Sequence, residues 1–87
     1  MIVNYDNADD KMAELRQQGH TVYWRGYDIV LFRATDLGKR RNSGVRHQYA
    51  DGTWAWGIET VFEPNAQGEW DIVIPEEINP RRGRAYA

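Results

Sequence analysis

The spacing of apolar residues along the chain changes after Gly19, from a helical period to an alternating one. Ala8, Met12 and Leu15 recur at intervals of three and four residues, which predicts one helix over residues 7–18. A capping asparagine or aspartate precedes this stretch, and Gly19 is a typical left-handed terminator after it. A helix of three turns is marginal by itself, so we expect it to pack on a sheet.

Residues 20–34 predict a β-hairpin whose two faces are both apolar. Gly26 and Tyr27 form its two-residue turn, with glycine at the first central position. One face then carries Val22, Trp24, Ile29 and Leu31, and the other carries Tyr23, Val30 and Phe32. Because the helix can cover only one face, the other face needs a different cover. Either a second copy of the chain covers that face, or the N-terminal residues and the C-terminal segment fold back over it.

A second hairpin is predicted around Asp51-Gly52, between two stretches rich in aromatic residues. A two-residue turn there pairs three sets of residues on one face: Tyr49 with Trp54, His47 with Trp56, and Val45 with Ile58. A slip of one residue separates these rings onto both faces, so the pattern favours this register.

After that hairpin the strand continues through Phe62, and residues 70–74 alternate as a last strand before Pro75. We therefore predict an α+β fold of two layers, in which the N-terminal helix packs on one twisted antiparallel sheet of about five strands. The hairpin over 20–34 and a meander over 45–74 supply that sheet, with sequential strands pairing. Residues 1–75 form a single domain, and residues 76–87 are expected to be a mobile basic tail.

Composition narrows the class of protein. The 87 residues contain no cysteine, which excludes disulfides and thiolate chemistry and fits a reducing cytoplasm. The N-terminus lacks the pattern of a signal peptide, and the longest apolar run is four residues, so we expect a soluble cytoplasmic protein without a membrane segment.

Charge is strongly segregated although the net charge is only −2. Residues 51–77 carry seven carboxylates and no cation, whereas cations concentrate on either side of that block. The flanking groups suit phosphate contacts and define a nucleic-acid-binding alternative: Lys39, Arg40, Arg41, Arg46, Arg81, Arg82 and Arg84. An acidic pI near 5.6 argues against a broad contact with nucleic acid.

Candidate catalytic chemistry is sparse. His47 is expected to pack beside Trp56, with the carboxylate of Glu59 on the opposite face, so a small enzyme using His47 is a third alternative. Glu59, Glu63 and Asp71 are interpreted as a solvated sheet face, with Arg46 diagonal to Glu59, rather than as a metal site. We expect no catalytic residue, metal or cofactor.

The function predicted from the sequence is therefore binding of another protein without catalysis, as in small accessory or phage-type regulatory proteins. The expected contact residues are Lys39, Arg40 and Arg41 in the basic loop over 38–46, with Tyr23 and Phe32 on the uncovered face. Aromatic residues and arginine dominate binding hot spots, and a homodimer through the same face is one form of such binding.

Overall fold

The computed structural model describes residues 1–36 and 44–74, which form an α+β fold with antiparallel strands as predicted. In chain order the elements are β1 (Ile2–Val3), α1 (Ala8–Gln17), β2 (Thr21–Arg25), β3 (Asp28–Ala34), β4 (Val45–Gln48), β5 (Trp54–Phe62) and β6 (Trp70–Asp71). The predicted tail over 76–87 lies outside the described residues. Within the described ranges, no helix is long and apolar enough to cross a bilayer.

The predicted helix is confirmed, and its C-terminus ends in a Schellman motif. The N–H of Gly19 donates to the carbonyl of Arg16, and the N–H of His20 donates to the carbonyl of Leu15. Gly19 has a φ of 94°, a left-handed conformation that this motif requires. At the other end Asn7 occupies the N-cap position without a side-chain capping bond. The turn before the helix is held instead by the Oδ1 of Asn4, which accepts the N–H groups of residues 6 and 7.

The β2–β3 hairpin has the predicted register, from Thr21 opposite Phe32 to Arg25 opposite Asp28. Gly26 has a φ of 64°, which matches the position of glycine in a two-residue turn. The outer edge of β2 is partly closed by the helix, because the guanidinium of Arg16 donates two hydrogen bonds to the carbonyl of Val22 at 3.1 and 3.2 Å. This contact protects an edge strand against pairing with another chain.

The predicted single sheet of about five strands is wrong. The described strands form a four-stranded sheet in the order β2-β3-β5-β4 and a separate two-stranded sheet of β1 and β6. The last strand therefore pairs with the N-terminal strand instead of extending the meander, and β3 pairs with β5 instead of its sequence neighbour β4. The long connection after β3 frees β4 to take the outer position beside β5, which only the tertiary fold decides.

The predicted register of the second hairpin is also wrong, by one residue. Gln48 lies opposite Trp54, and His47 lies opposite Ala55. The loop has three residues, because the N–H of Gly52 donates to the carbonyl of Tyr49, and Tyr49 donates back to the carbonyl of Thr53. Gly52 has a φ of 90°, as in a type I turn followed by a left-handed glycine. The Oδ1 of Asp51 accepts both the N–H and the hydroxyl of Thr53, which stabilises this longer loop.

The main core lies between α1, the two-stranded sheet and one face of the β2–β3 hairpin, which we call the helix-side face. Its buried residues are Val3, Ala8, Met12, Leu15, Val22, Ile29, Leu31, Trp70 and Ile72. The predicted helical stripe is in this set, and so are three of the four predicted hairpin positions, whereas Trp24 is 38% exposed. Along β5 the helix-side face continues through Phe62, Thr60 and Ile58 to Trp56 and Trp54, in line with the register to β3. Phe62 is partly buried and packs against the core, whereas the two tryptophans at the far end of β5 lie outside it.

Candidate binding surfaces

Three side chains form a tryptophan cluster on the part of the helix-side face that the core leaves uncovered: Arg46, Trp54 and Trp56. Trp54 is 53% exposed and Trp56 is 39% exposed. Arg46 lies opposite Trp56 in the ladder, and its guanidinium carbon stands 4.6 Å from the centre of the Trp54 ring. This cation–π contact places the guanidinium over an exposed ring. The predicted placement of Arg46 diagonal to Glu59 is wrong, since the one-residue shift puts them on opposite faces.

An open depression of about 620 Å³ adjoins the tryptophan cluster. Its lining combines the cluster with the end of β3 and one further β5 residue, namely Ala34, Thr35, Asp36, Arg46, Trp54, Ala55 and Trp56. The N–H of Thr35 donates to the carbonyl of Trp56 at 3.0 Å, so the floor of the depression is continuous with the sheet. A depression of this size accommodates several side chains of a ligand.

The opposite face of the four-stranded sheet carries a stacked-ring cluster of Tyr23, Phe32, His47 and Tyr49. His47 stacks on Tyr23 at 5.2 Å and on Phe32 at 4.7 Å between ring centres. Tyr49 meets both His47 and Phe32 edge to face. Phe32 is only 2% exposed as a result. The expectation that this face is uncovered is therefore wrong, and Phe32 is not available as a contact residue, whereas Tyr23 is half-buried.

An ionic network borders the stacked-ring cluster. The carboxylate of Glu59 accepts a hydrogen bond from the hydroxyl of Tyr23 at 2.7 Å and two from the guanidinium of Arg25 at 3.1 and 2.6 Å. Burial, followed by the hydrogen bond and the negative charge of Glu59, raises the pKa of Tyr23 to about 12. The hydrogen bond from Arg25 lowers the pKa of Glu59. Arg25 thus uses its donors on β5, although the hairpin places it opposite Asp28.

His47 and Glu59 share the same face, contrary to the sequence-based expectation, and His47 does not lie under Trp56. The oxygens of Glu59 are engaged by Tyr23 and Arg25, which is the arrangement of a structural ion pair. The suggested acidic face over Glu59, Glu63 and Asp71 is not assembled, since Asp71 lies in the separate two-stranded sheet. Within residues 1–36 and 44–74, no group of three potential metal ligands is present.

A further aromatic group surrounds Trp70, which is fully buried. Tyr5 and Trp24 meet the Trp70 ring edge to face at 5.0 and 5.1 Å. The indole N–H of Trp70 donates to the carbonyl of Tyr27 at 2.9 Å. These contacts connect the N-terminal turn and the β2–β3 hairpin to β6, so they account for Tyr5 and Trp24 as parts of the fold although both are partly exposed.

The structure describes only part of the contact set that the sequence predicts. Two basic groups lie outside the described residues: Lys39, Arg40 and Arg41 in the loop, and Arg81, Arg82 and Arg84 near the C-terminus. Sequence reasoning missed Trp54 and Trp56 as surface residues and missed the network of Glu59. One signal was present: Tyr23 and Phe32 needed a cover, and a one-residue shift of the second hairpin brings His47 and Tyr49 into contact with them.

Comparison with family models, curated proteins and solved structures finds no match to this chain, so function rests on the described surfaces alone.

Proposed function

We propose that this chain is a small non-catalytic module that binds another protein through the tryptophan cluster. The observation that carries the proposal is the pairing of two exposed indoles with Arg46 on a sheet face that the helix leaves uncovered. Tryptophan and arginine are the residues most enriched in binding hot spots, and burial of an exposed indole contributes strongly to association. Regulatory or accessory roles fit a module of this kind.

The position of the cluster on regular strands supports the same function. Trp54 and Trp56 lie on β5, which is hydrogen-bonded on both sides, to β3 and to β4. Side chains held on paired strands lose little additional backbone entropy on binding. The exposed apolar surface is thus presented in a fixed geometry.

The direct test is quantitative affinity capture from the native host with three baits: the wild-type chain, Trp54→Ala/Trp56→Ala, and Trp24→Phe as the matched control. Proteins that depend on the tryptophan cluster are retained by the wild-type chain and by Trp24→Phe and are lost from the double variant. Equal recovery on all three baits contradicts the proposal, provided that circular dichroism shows the double variant to be folded. Light scattering of the same proteins tests whether the occupant is a second copy, since a homodimer through this cluster becomes monomeric in the double variant.

Nucleic-acid binding is the second candidate, because an arginine stacked on an exposed indole also offers a platform for a base and a donor for a phosphate. It predicts affinity for a single-stranded oligonucleotide that falls steeply with salt and is lost in Arg40→Glu/Arg41→Glu. A gel-shift series without binding at low salt excludes it.

A further inference from the structure

We propose that the partner presents one carboxylate beside an apolar side chain, so that Arg46 binds the carboxylate while Trp54 and Trp56 contact the apolar group. This inference rests on the proposed function and specifies the chemistry of its ligand.

The first argument is the state of the Arg46 guanidinium. Other arginines in the described part of the chain are engaged, since Arg16 donates to the carbonyl of Val22 and Arg25 donates to Glu59. Arg46 is exposed and contacts the Trp54 ring, with no acceptor among residues 1–36 and 44–74. The contact with the ring leaves the N–H groups without an acceptor among these described residues. Those donors form a planar fork that matches the two oxygens of a carboxylate.

The second argument is the number of charges that the site can neutralise. Arg46 is the only cation among the described residues that line the depression. Its guanidinium can bind one carboxylate through two parallel hydrogen bonds. A ligand with a single carboxylate therefore matches the charge that this part of the chain presents.

The third argument is the apolar part of the surface. Trp54 and Trp56 project from the same side of one strand, about 7 Å apart along its axis by the rise of an extended chain. One aliphatic or aromatic side chain can contact both indoles at that spacing. Since Arg46 covers the Trp54 ring, the carboxylate and the apolar group must be close neighbours in the ligand. A short acidic and hydrophobic segment of a protein has this composition.

The test uses a phage-displayed library of random dodecapeptides selected on the full-length wild-type chain, with counter-selection on Trp54→Ala/Trp56→Ala. Selected peptides are synthesised, and their affinities are measured by calorimetry. Binding sites are located from the indole N–H signals of the four tryptophans in ¹H–¹⁵N spectra. We expect enrichment of Asp or Glu next to an apolar residue, with shifts of the Trp54 and Trp56 signals and not of Trp70. Arg46→Gln and replacement of the peptide carboxylate by its amide each weaken binding by about tenfold or more, and the two changes together are less than additive.

Three results overturn the inference and are distinguishable from failure of the proposed function. Peptides that shift the Trp54 and Trp56 signals without acidic enrichment, and bind Arg46→Gln equally well, leave protein binding intact and refute the carboxylate. Displacement of the peptides by a thymidine oligonucleotide assigns the site to nucleic acid. Absence of any peptide that depends on Trp54, together with equal affinity capture by the double variant, refutes the proposed function as well. Arg46→Lys serves as the conservative control, because it keeps the charge but loses the planar fork.

Discussion

Replacement of Gly57 by alanine tests how tightly the curled four-stranded sheet is packed. Gly57 lies on β5 opposite Ala34 and Val45, and its backbone is not in the left-handed region. An alanine Cβ there meets the Phe32 ring at 2.5 and 2.6 Å, and also meets the carbonyl oxygen of Arg33. Carbon atoms in contact normally stand about 3.5–4.0 Å apart, so the ring must retreat by roughly 1 Å.

Retreat of the Phe32 ring is opposed by its neighbours. His47 stacks on it at 4.7 Å, and the Arg33 oxygen belongs to the backbone of a central strand. Overpacking of this kind costs about 1–3 kcal/mol, whereas the reduced entropy of the unfolded chain returns only about 0.5–1 kcal/mol. Because two separate obstacles are present, we expect a net loss near 2 kcal/mol. A domain of this length has about 4–13 kcal/mol of stability in total. A loss of about 2 kcal/mol lowers the melting temperature of such a domain by roughly 10–15 °C.

The assay is urea unfolding of wild type, Gly57→Ala, Phe32→Leu and the double variant, followed by circular dichroism. Phe32→Leu removes the ring that the new methyl group meets, so the double variant loses less stability than the sum of the single losses, by about 1 kcal/mol. Gly52→Ala is the control, since that glycine has a φ of 90° and no atom within 4 Å of the added Cβ. The stability that Gly52→Ala loses reflects backbone strain alone. A Gly57→Ala stability within about 0.5 kcal/mol of wild type refutes this account of the packing.

Three further predictions concern the ionic network, the core and the sheet edge. In an absorbance titration at 295 nm, we expect one of the five tyrosines, Tyr23, to ionise near pH 12. The hydrogen bond and negative charge of Glu59 help to raise the pKa of Tyr23, so Glu59→Gln moves that ionisation towards pH 10. The pKa of Tyr23 in the folded chain lies above its unfolded value of 10.0, so the stability that Tyr23 contributes is complete below pH 10 and disappears between pH 10 and about 12. If the ionisation near pH 12 stays in place in Glu59→Gln, the role of Glu59 is contradicted. In urea unfolding, Trp70→Phe loses about 2 kcal/mol of stability, because the buried ring becomes smaller and its hydrogen bond to the Tyr27 carbonyl is removed. Trp24→Phe is the control and loses less, because Trp24 is partly exposed. Equal losses in the two variants refute the central role of Trp70. Arg16→Gln removes two hydrogen bonds to the Val22 carbonyl, so we expect a loss of about 1 kcal/mol in the free energy of unfolding. It also exposes the edge of β2, so we expect a light-scattering mass that rises with concentration above that of the wild type. A mass equal to the wild-type mass at every concentration would rule this out.

Local chemistry was sufficient to predict the first half of the fold. The period of Ala8, Met12 and Leu15 identifies a helix with one buried side, and Gly19 ends it in the expected conformation. Gly26 likewise fixes the register of the β2–β3 hairpin, because a two-residue turn leaves only one way to pair the flanking residues. In both elements the determining interactions lie within a few residues of one another.

The second hairpin shows where local pattern is insufficient. Asp51-Gly52 is compatible with a loop of two residues or of three. Changing from one loop to the other moves His47 and Tyr49 together from one face of the sheet to the opposite face. The choice depends on Phe32, which belongs to a strand that does not pair with β4 at all. Collecting the rings on one face satisfied the hairpin by itself, whereas the tertiary fold required rings on both faces.

The sequence by itself therefore determined the helix, the first hairpin, the segregation of charge and the absence of cysteine chemistry. The tertiary structure alone decided that β6 pairs with β1, that β3 pairs with β5, and that Glu59 joins Arg25 and Tyr23. It also decided which tryptophans are exposed, and hence where the binding surface lies. The physical reason is that strand order and register are set by contacts between distant residues, whose burial outweighs the weak preference of any single turn.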